Sequence, residues 1–224
     1  MISQRHQLIF PRSHAPFIIH SGHENDQELM HHVTEWFNQG LPGIYARQLD
    51  HGSDHLNLGL PVLLAHKKYR VGILLPKSAV NRTEGLPKLA DMADFLARKL
   101  RLKSDRLFST QELVDFKSVS VFGSFLFEYL TQQPFVTENS DLDVLIDYEQ
   151  YSLTELQQLL IKLETKFNRT IDGEIRFPNL GDVAIKELAA ATSNQLLFKN
   201  SHEVGLISRH DLYVQYPYLL SDRR

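Results

Sequence analysis

Two aspartates separated by a single residue, Asp141 and Asp143, lead into the apolar run Val144-Leu145-Ile146. Alternate residues of a strand share a face. The pair is therefore expected to project together, while Leu142 and Val144 enter the packing layer. Adjacent carboxylates repel unless a cation lies between them. Magnesium suits that place, because it is held by one or two carboxylates together with substrate phosphates. Two such ions roughly 3.5–4 Å apart stabilise the attacking and leaving oxygens of an in-line displacement. Upstream, Ser118-Val119-Ser120-Val121-Phe122 reads as a strand running into Gly123-Ser124 and then a helix. Glycine lets the backbone approach a ligand closely, and a helix start offers free N–H groups to phosphate. Gly123 and Ser124 are thus the phosphate-gripping half, and Asp141 and Asp143 the metal-holding half. Asp172 and Glu174 share a face of a third strand, Ile171-Asp172-Gly173-Glu174-Ile175. Either can ligate a metal or accept the proton of an attacking hydroxyl. Asp172 is the first choice and Glu174 the second.

Taken singly, a Gly-Ser pair is usually a turn and an Asp-x-Asp a solvated strand edge. The order strand, Gly-Ser, helix, Ser-Asp-x-Asp, apolar strand is what points to a site. Lys186 and Lys199 can hold phosphates, though each also reads as a surface cation. The histidine pairs His31-His32, His51/His55 and His20/His23 have no matching carboxylate pattern, so no histidine metal centre is expected.

The elements that must position these residues follow from periodicity. Residues 28–37 read as a helix, with Leu29, Val33, Trp36 and Phe37 near helical spacing. Ile44-Tyr45-Ala46-Arg47-Gln48, Val62-Leu63-Leu64-Ala65 and residues 69–75 read as strands. Gly40-Leu41-Pro42-Gly43, His51-Gly52-Ser53-Asp54 and Gly59-Leu60-Pro61 read as the turns between them. Residues 88–102 look helical, and 111–116 look like a second short helix. From Ser118 the pattern becomes βαβ-like. Leu142 starts a strand to Asp147, the capping box Ser152-Leu153-Thr154-Glu155 opens a helix, residues 170–177 form a strand, and 183–188 a further one. The expected fold class is α+β: a small N-terminal α+β domain over 1–80, a helical linker over 81–117, and a catalytic domain of mixed sheet and helices over 118–224.

Composition narrows the function. The chain has 224 residues, 42% hydrophobic and 23% charged, ordinary for a globular protein. It contains no cysteine, which removes disulfides, thiolate zinc sites and a cysteine nucleophile. No apolar run reaches the length of a membrane span, and the start lacks a secretory h-region. A cytoplasmic protein without membrane contact is expected. With 24 Lys+Arg against 27 Asp+Glu, there is no basic excess for a nucleic-acid polymer, whereas a small phosphorylated ligand needs only a few local cations.

Gly123-Ser124 followed by Ser140-Asp141-Leu142-Asp143 resembles the signature of the nucleotidyltransferase superfamily. The long gap between the halves, with Leu130-Thr131 and Pro134, resembles one family within it: the phosphoribosyl-dephospho-CoA transferase of malonate decarboxylase, also called malonate decarboxylase holo-acyl-carrier-protein synthase. Arg5-His6 is similar to that family's opening, and Val71-Gly72-Ile73 with Pro76 and Arg82 to its middle. Asp172-Gly173-Glu174 with Phe177-Pro178, then Val183-Ala184-Ile185-Lys186-Glu187-Leu188, is similar to its C-terminal pattern. Ile185-Lys186 departs from an aromatic followed by arginine but keeps a cation. The resemblance implies a nucleotidyltransferase-like C-terminal domain. It also implies attachment of a phosphoribosyl-dephospho-CoA group from 2′-(5″-triphosphoribosyl)-3′-dephospho-CoA to a serine of the apo acyl-carrier subunit, with release of pyrophosphate. It further implies magnesium, with manganese as the alternative, on Asp141, Asp143 and Asp172 or Glu174. Gly123, Ser124, Ser140 and Lys186 would face the substrate, and residues 1–80 would help dock the carrier or its long arm. Two other readings share the motifs. One is an enzyme that adenylylates a protein or small molecule. The other is a non-catalytic regulator, which would be expected to lack one of the paired aspartates.

Overall fold

Strict alternation of buried and accessible residues along His55–Leu64 marks a ten-residue strand with one face in a core. In the computed structural model, which describes residues 4–20, 27–48, 53–64, 67–102, 108–190 and 192–221, this strand organises the first of two compact units. The units comprise residues 1–86, 130–135 and 200–203, and residues 87–129, 136–199 and 204–224. His23, His51, Gly52 and Ala65 lie outside the described residues.

The first unit contains β1 (Leu8–Pro11), β2 (Ile18–Ile19), α1 (Gln27–Asn38), β3 (Gly43–Tyr45), β4 (His55–Leu64), β5 (Lys67–Pro76) and β6 (Val80–Glu84). The strands form one antiparallel sheet in the order β2-β5-β4-β3-β1-β6. Helix α1 buries Leu29, Val33, Trp36 and Phe37, the stripe its spacing predicts. Two expectations change. Gly59-Leu60-Pro61 is not a turn but the middle of β4. Proline is tolerated there because β3 pairs with Leu58 and Gly59 and then ends, so Pro61 has a strand partner on one side only. The strand expected over 44–48 stops at Tyr45, because the buried Gln48 side chain takes over the ladder. Its amide donates to Ala46 O at 2.8 Å and its carbonyl accepts from Asn57 N at 2.9 Å.

The second unit holds α2 (Ala93–Lys99), α3 (Thr110–Asp115), β7 (Val119–Val121), α4 (Gly123–Thr131), β8 (Leu142–Asp147) and α5 (Leu153–Phe167). These are followed by β9 (Ile171–Phe177), β10 (Gly181–Ala184), α6 (Ile185–Ala190), β11 (Gln195–Lys199), β12 (Val204–Ser208) and α7 (Arg209–Gln215). The sheet runs β12-β11-β10-β9-β8-β7. Among the described residues only β8 and β9 pair in parallel, joined through α5 as a βαβ unit, so the sheet is mixed. Helix α5 starts at the expected capping box, Ser152 with Glu155, and buries Leu156, Leu159, Leu163 and Phe167. Each such side chain contributes about 1.5–3 kcal/mol. The architecture is α+β, as expected. Among the described residues no helix is long and apolar enough to cross a membrane.

The span 81–117 is the one expected as a helical linker. Its first residues belong to β6, which pairs with β1. Leu89, Met92, Phe95, Leu96, Phe108 and Phe116 sit in the core of the second unit. The helix expected over 88–102 is a 3-10 turn, Leu89–Met92, followed by α2. The strand expected over 183–188 ends at Ala184, and α6 takes over because Ile185 and Leu188, three apart, are both buried. A short apolar run is ambiguous in just this way. The last two strands and α7 were not anticipated at all. Buried Arg209 fastens them, donating to Leu188 O at 2.8 Å and Glu187 O at 2.6 Å at the end of α6.

Two ion pairs tie α3 to α5: Lys166–Glu112 at 2.6 Å and Lys162–Asp115 at 3.0 Å. The Lys166 hydrogen bond holds the Glu112 carboxyl down from 4.5 to about 2. A carboxyl depressed on folding stabilises the protein above its unfolded pKa and loses that contribution as pH falls through the folded one. Lys166→Met is therefore expected to cost about 0.5–1 kcal/mol at neutral pH. Denaturant titrations at several pH values check this: the gap to wild type should be full above pH 4.5 and close toward pH 2.

Candidate active site

Strand β7 ends because Gly123 turns left-handed, with φ +65. Just before it, Phe122 N donates to Asp143 O at 3.0 Å, and Val121 pairs with Val144. The glycine Cα consequently rests on the side chain of Asp143. A Cβ at Gly123 would stand 3.0 Å from the Asp143 Cβ and overlap its carboxylate oxygen. No side chain fits here, and helix α4 begins at this point. The turn and the Asp-x-Asp motif, 20 positions apart in the chain numbering (143 − 123), thus form one locus. Ser124 is the second residue of α4 and is half-buried.

The parallel register places Asp143 directly opposite Asp172, and Leu145 opposite Glu174. Paired residues of adjacent strands share a face. The face opposite theirs carries Leu142, Val144, Ile146, Ile171 and Ile175, all buried. The Asp143 face carries Leu145 and Ala184 among polar residues: Asp172, Glu174, Arg176, Asp182 and Lys199 lie on it by register. Asp141 precedes the first paired residue of β8 and is exposed, while Asp143 is half-buried. One acid of the expected pair thus lies within β8 and the other immediately before it. Among the described residues, the oxygens of Asp141, Asp143 and Asp172 do not all lie within 4.8 Å of one another. Glu174 is engaged differently, accepting an ion pair from Lys199 at 3.3 Å.

The remaining candidates are dispersed. The Ser140 hydroxyl closes a turn, accepting from Thr137 N at 2.9 Å. Lys186 is exposed in the first turn of α6. Gly173, between the two acids of β9, faces the core; a Cβ there would come within 2.9 Å of Ile185 Cγ2. The glycine of Asp172-Gly173-Glu174 thus lets α6 pack on the sheet.

Two features escaped the sequence. Glu128, buried on α4, receives Val136 N at 2.7 Å and pairs with Lys99 at 2.5 Å, which pins the long connection between the motifs. A glutamate in a helix carries no sign of that role. Arg176 holds Asp182, which is 2% exposed, through two hydrogen bonds of 2.8 and 3.1 Å. Extending the alternation of Asp172 and Glu174 by one step finds Arg176, but its partner across the β9–β10 turn has no sequence signature.

Comparison with known proteins defines the class first: the chain is a transferase. Residues 88–210 match the family described as phosphoribosyl-dephospho-CoA transferase MdcG C-terminal domain, and residues 4–85 match the N-terminal domain of the same name. The protein belongs to the MdcG family of phosphoribosyl-dephospho-CoA transferases. A phosphoribosyl-dephospho-CoA transferase of Bradyrhizobium diazoefficiens is 29% identical over 183 residues, covering 80% of this chain and 78% of that one. One from Xanthomonas campestris pv. campestris is 25% identical over 213 residues, covering 93% and 96%. No solved structure matches the chain.

Proposed function

We propose that the protein transfers the phosphoribosyl-dephospho-CoA group of 2′-(5″-triphosphoribosyl)-3′-dephospho-CoA to a serine of the apo acyl-carrier subunit of malonate decarboxylase, releasing pyrophosphate. The observation that carries this reading is the locus where Gly123 abuts the Asp143 carboxylate and Asp143 stands level with Asp172.

The donor set fits magnesium. Its ligands here are hard carboxylate oxygens, and such an ion takes one or two of them and completes its shell with water and substrate phosphate. It does not need three protein acids drawn together. Asp141 and Asp143 would hold it, which leaves Asp172 for the proton; Glu174 is the weaker choice for a third acid because Lys199 already engages it. Manganese would occupy the same oxygens. When bound, the ion supplies charge neutralisation to the phosphates.

The chain's own residues do the rest. Gly123 and Ser124 present the start of α4 to the triphosphate, whose negative charge suits a helix N-terminus. Ser140 and Lys186 are assigned further substrate contacts. The carrier serine oxygen bonds to the phosphorus nearest the ribose. The bond from that phosphorus to the pyrophosphate oxygen breaks, and the electron pair leaves with pyrophosphate. The serine proton passes to Asp172, acting as general base. Most of the acceleration is positioning and charge stabilisation.

Pyrophosphate release tests the donor. With apo carrier present, the triphosphoribosyl donor is expected to yield pyrophosphate and ATP none. Release from ATP alone would replace this reading with an adenylylating one.

A further inference from the structure

Two cations on the polar face of the second sheet have no part in the chemistry above, and they are committed to different degrees. Arg176 lays its guanidinium on Asp182, Nε to Oδ1 at 2.8 Å and Nη2 to Oδ2 at 3.1 Å. Asp182 is 2% exposed, so this fork-to-fork pair is an internal fastening of the β9–β10 hairpin. Lys199 makes one ion pair, Nζ to Glu174 Oε1 at 3.3 Å, and its side chain keeps 39% of its exposure. An ammonium has three donors, so Lys199 retains capacity for an anion.

The register shows where that capacity points. Lys199 stands level with Asp182, and Asp182 level with Arg176. Yet its ammonium reaches Glu174, whose partner on β10 is Ala184, one step along the same face. The side chain therefore leans toward Asp172, and the small Ala184 leaves room for it. Asp172 and Glu174 lie about 6.7 Å apart along the strand. A polyphosphate gripped at the start of α4, beside Asp143 and Asp172, would find the Lys199 ammonium at Glu174, one alternation step along β9.

We infer that Lys199 binds the terminal phosphates of the donor's triphosphate, the portion that leaves as pyrophosphate, and that Glu174 is its positioning residue. This rests on the transfer reading and deepens it. It also assigns the two acids of β9 separate tasks: Asp172 serves the reacting centre and Glu174 aims the lysine.

Steady-state kinetics of the full chain with triphosphoribosyl donor and apo carrier test this, together with inhibition by pyrophosphate. Lys199→Met is expected to raise KM for the donor and the inhibition constant of pyrophosphate by about tenfold or more, the size of one lost charge-assisted hydrogen bond. The effect on kcat is expected to be the smaller part. Lys199→Arg should restore most of both constants. Glu174→Gln should shift them in the same direction by less, whereas a metal-ligand role would strike kcat. Unchanged KM and pyrophosphate inhibition in a folded Lys199→Met, or a loss confined to kcat, overturns the inference. Asp143→Asn, run in parallel, tests the transfer reading alone. Pyrophosphate inhibition decides the lysine whichever acid serves the chemistry.

Discussion

Asp143→Asn is expected to lower kcat by roughly 10²–10³-fold, the loss that follows removal of one preorganised charge at a reacting centre, while the protein stays folded. The stability half of the expectation is as informative as the activity half. Asp143 faces Asp172 across adjacent parallel strands. Like charges placed directly opposite destabilise a sheet by about 0.2–1 kcal/mol. Neutralising one acid removes that repulsion, so the thermal midpoint of the metal-free variant should match or exceed that of wild type. A residue kept for folding would show the reverse. Kinetic assay beside calorimetry separates the two. A variant with full activity and a lowered midpoint would mark Asp143 as structural.

Gly123→Ala should fail in both respects. The position is left-handed, which costs a residue with a Cβ about 1–2 kcal/mol. The added methyl also meets the Asp143 carboxylate, and overpacking of this kind costs about 1–3 kcal/mol more. The acid must move, and a displacement of an ångström at a reacting group costs roughly 10²-fold in rate. A double-mutant cycle isolates the contact. In an Asp143→Gly background the overlap disappears, so the stability penalty of Gly123→Ala should shrink to its left-handed part. Additive penalties in the cycle would show that the turn and the acid are independent.

The parts of this site that were legible in the sequence are those governed by local rules. Leu142–Asp147 reads as a strand because Asp141 and Asp143 alternate with Leu142 ahead of the apolar run Val144-Leu145-Ile146, and the structure gives that same strand. Ser152 and Glu155 announce α5 through their own hydrogen bonds. The unread parts depend on pairing between distant segments. That Asp143 meets Asp172 rather than Glu174 follows from the β8–β9 register, which α5 sets and no motif encodes. That Asp141 lies immediately before the strand follows from where β8 begins. Residues 81–117 read as a helical linker because two helical patterns, 88–102 and 111–116, fall between the two halves. Their apolar residues prove to be core, a burial visible only once β7 is in place. The β11–β12 hairpin escaped notice because Phe198 closes over Gly205, a cross-strand contact that single-chain periodicity does not register.

The intact mass of the apo carrier subunit, read after incubation with the triphosphoribosyl donor, magnesium and the protein, reports the proposed reaction itself. With the wild-type chain the carrier should gain one phosphoribosyl-dephospho-CoA group, located to a serine. With Asp143→Asn combined with Asp172→Asn it should gain none. Carrier modified to the same extent by the doubly substituted protein would show that the facing acids of β8 and β9 are not where the transfer takes place.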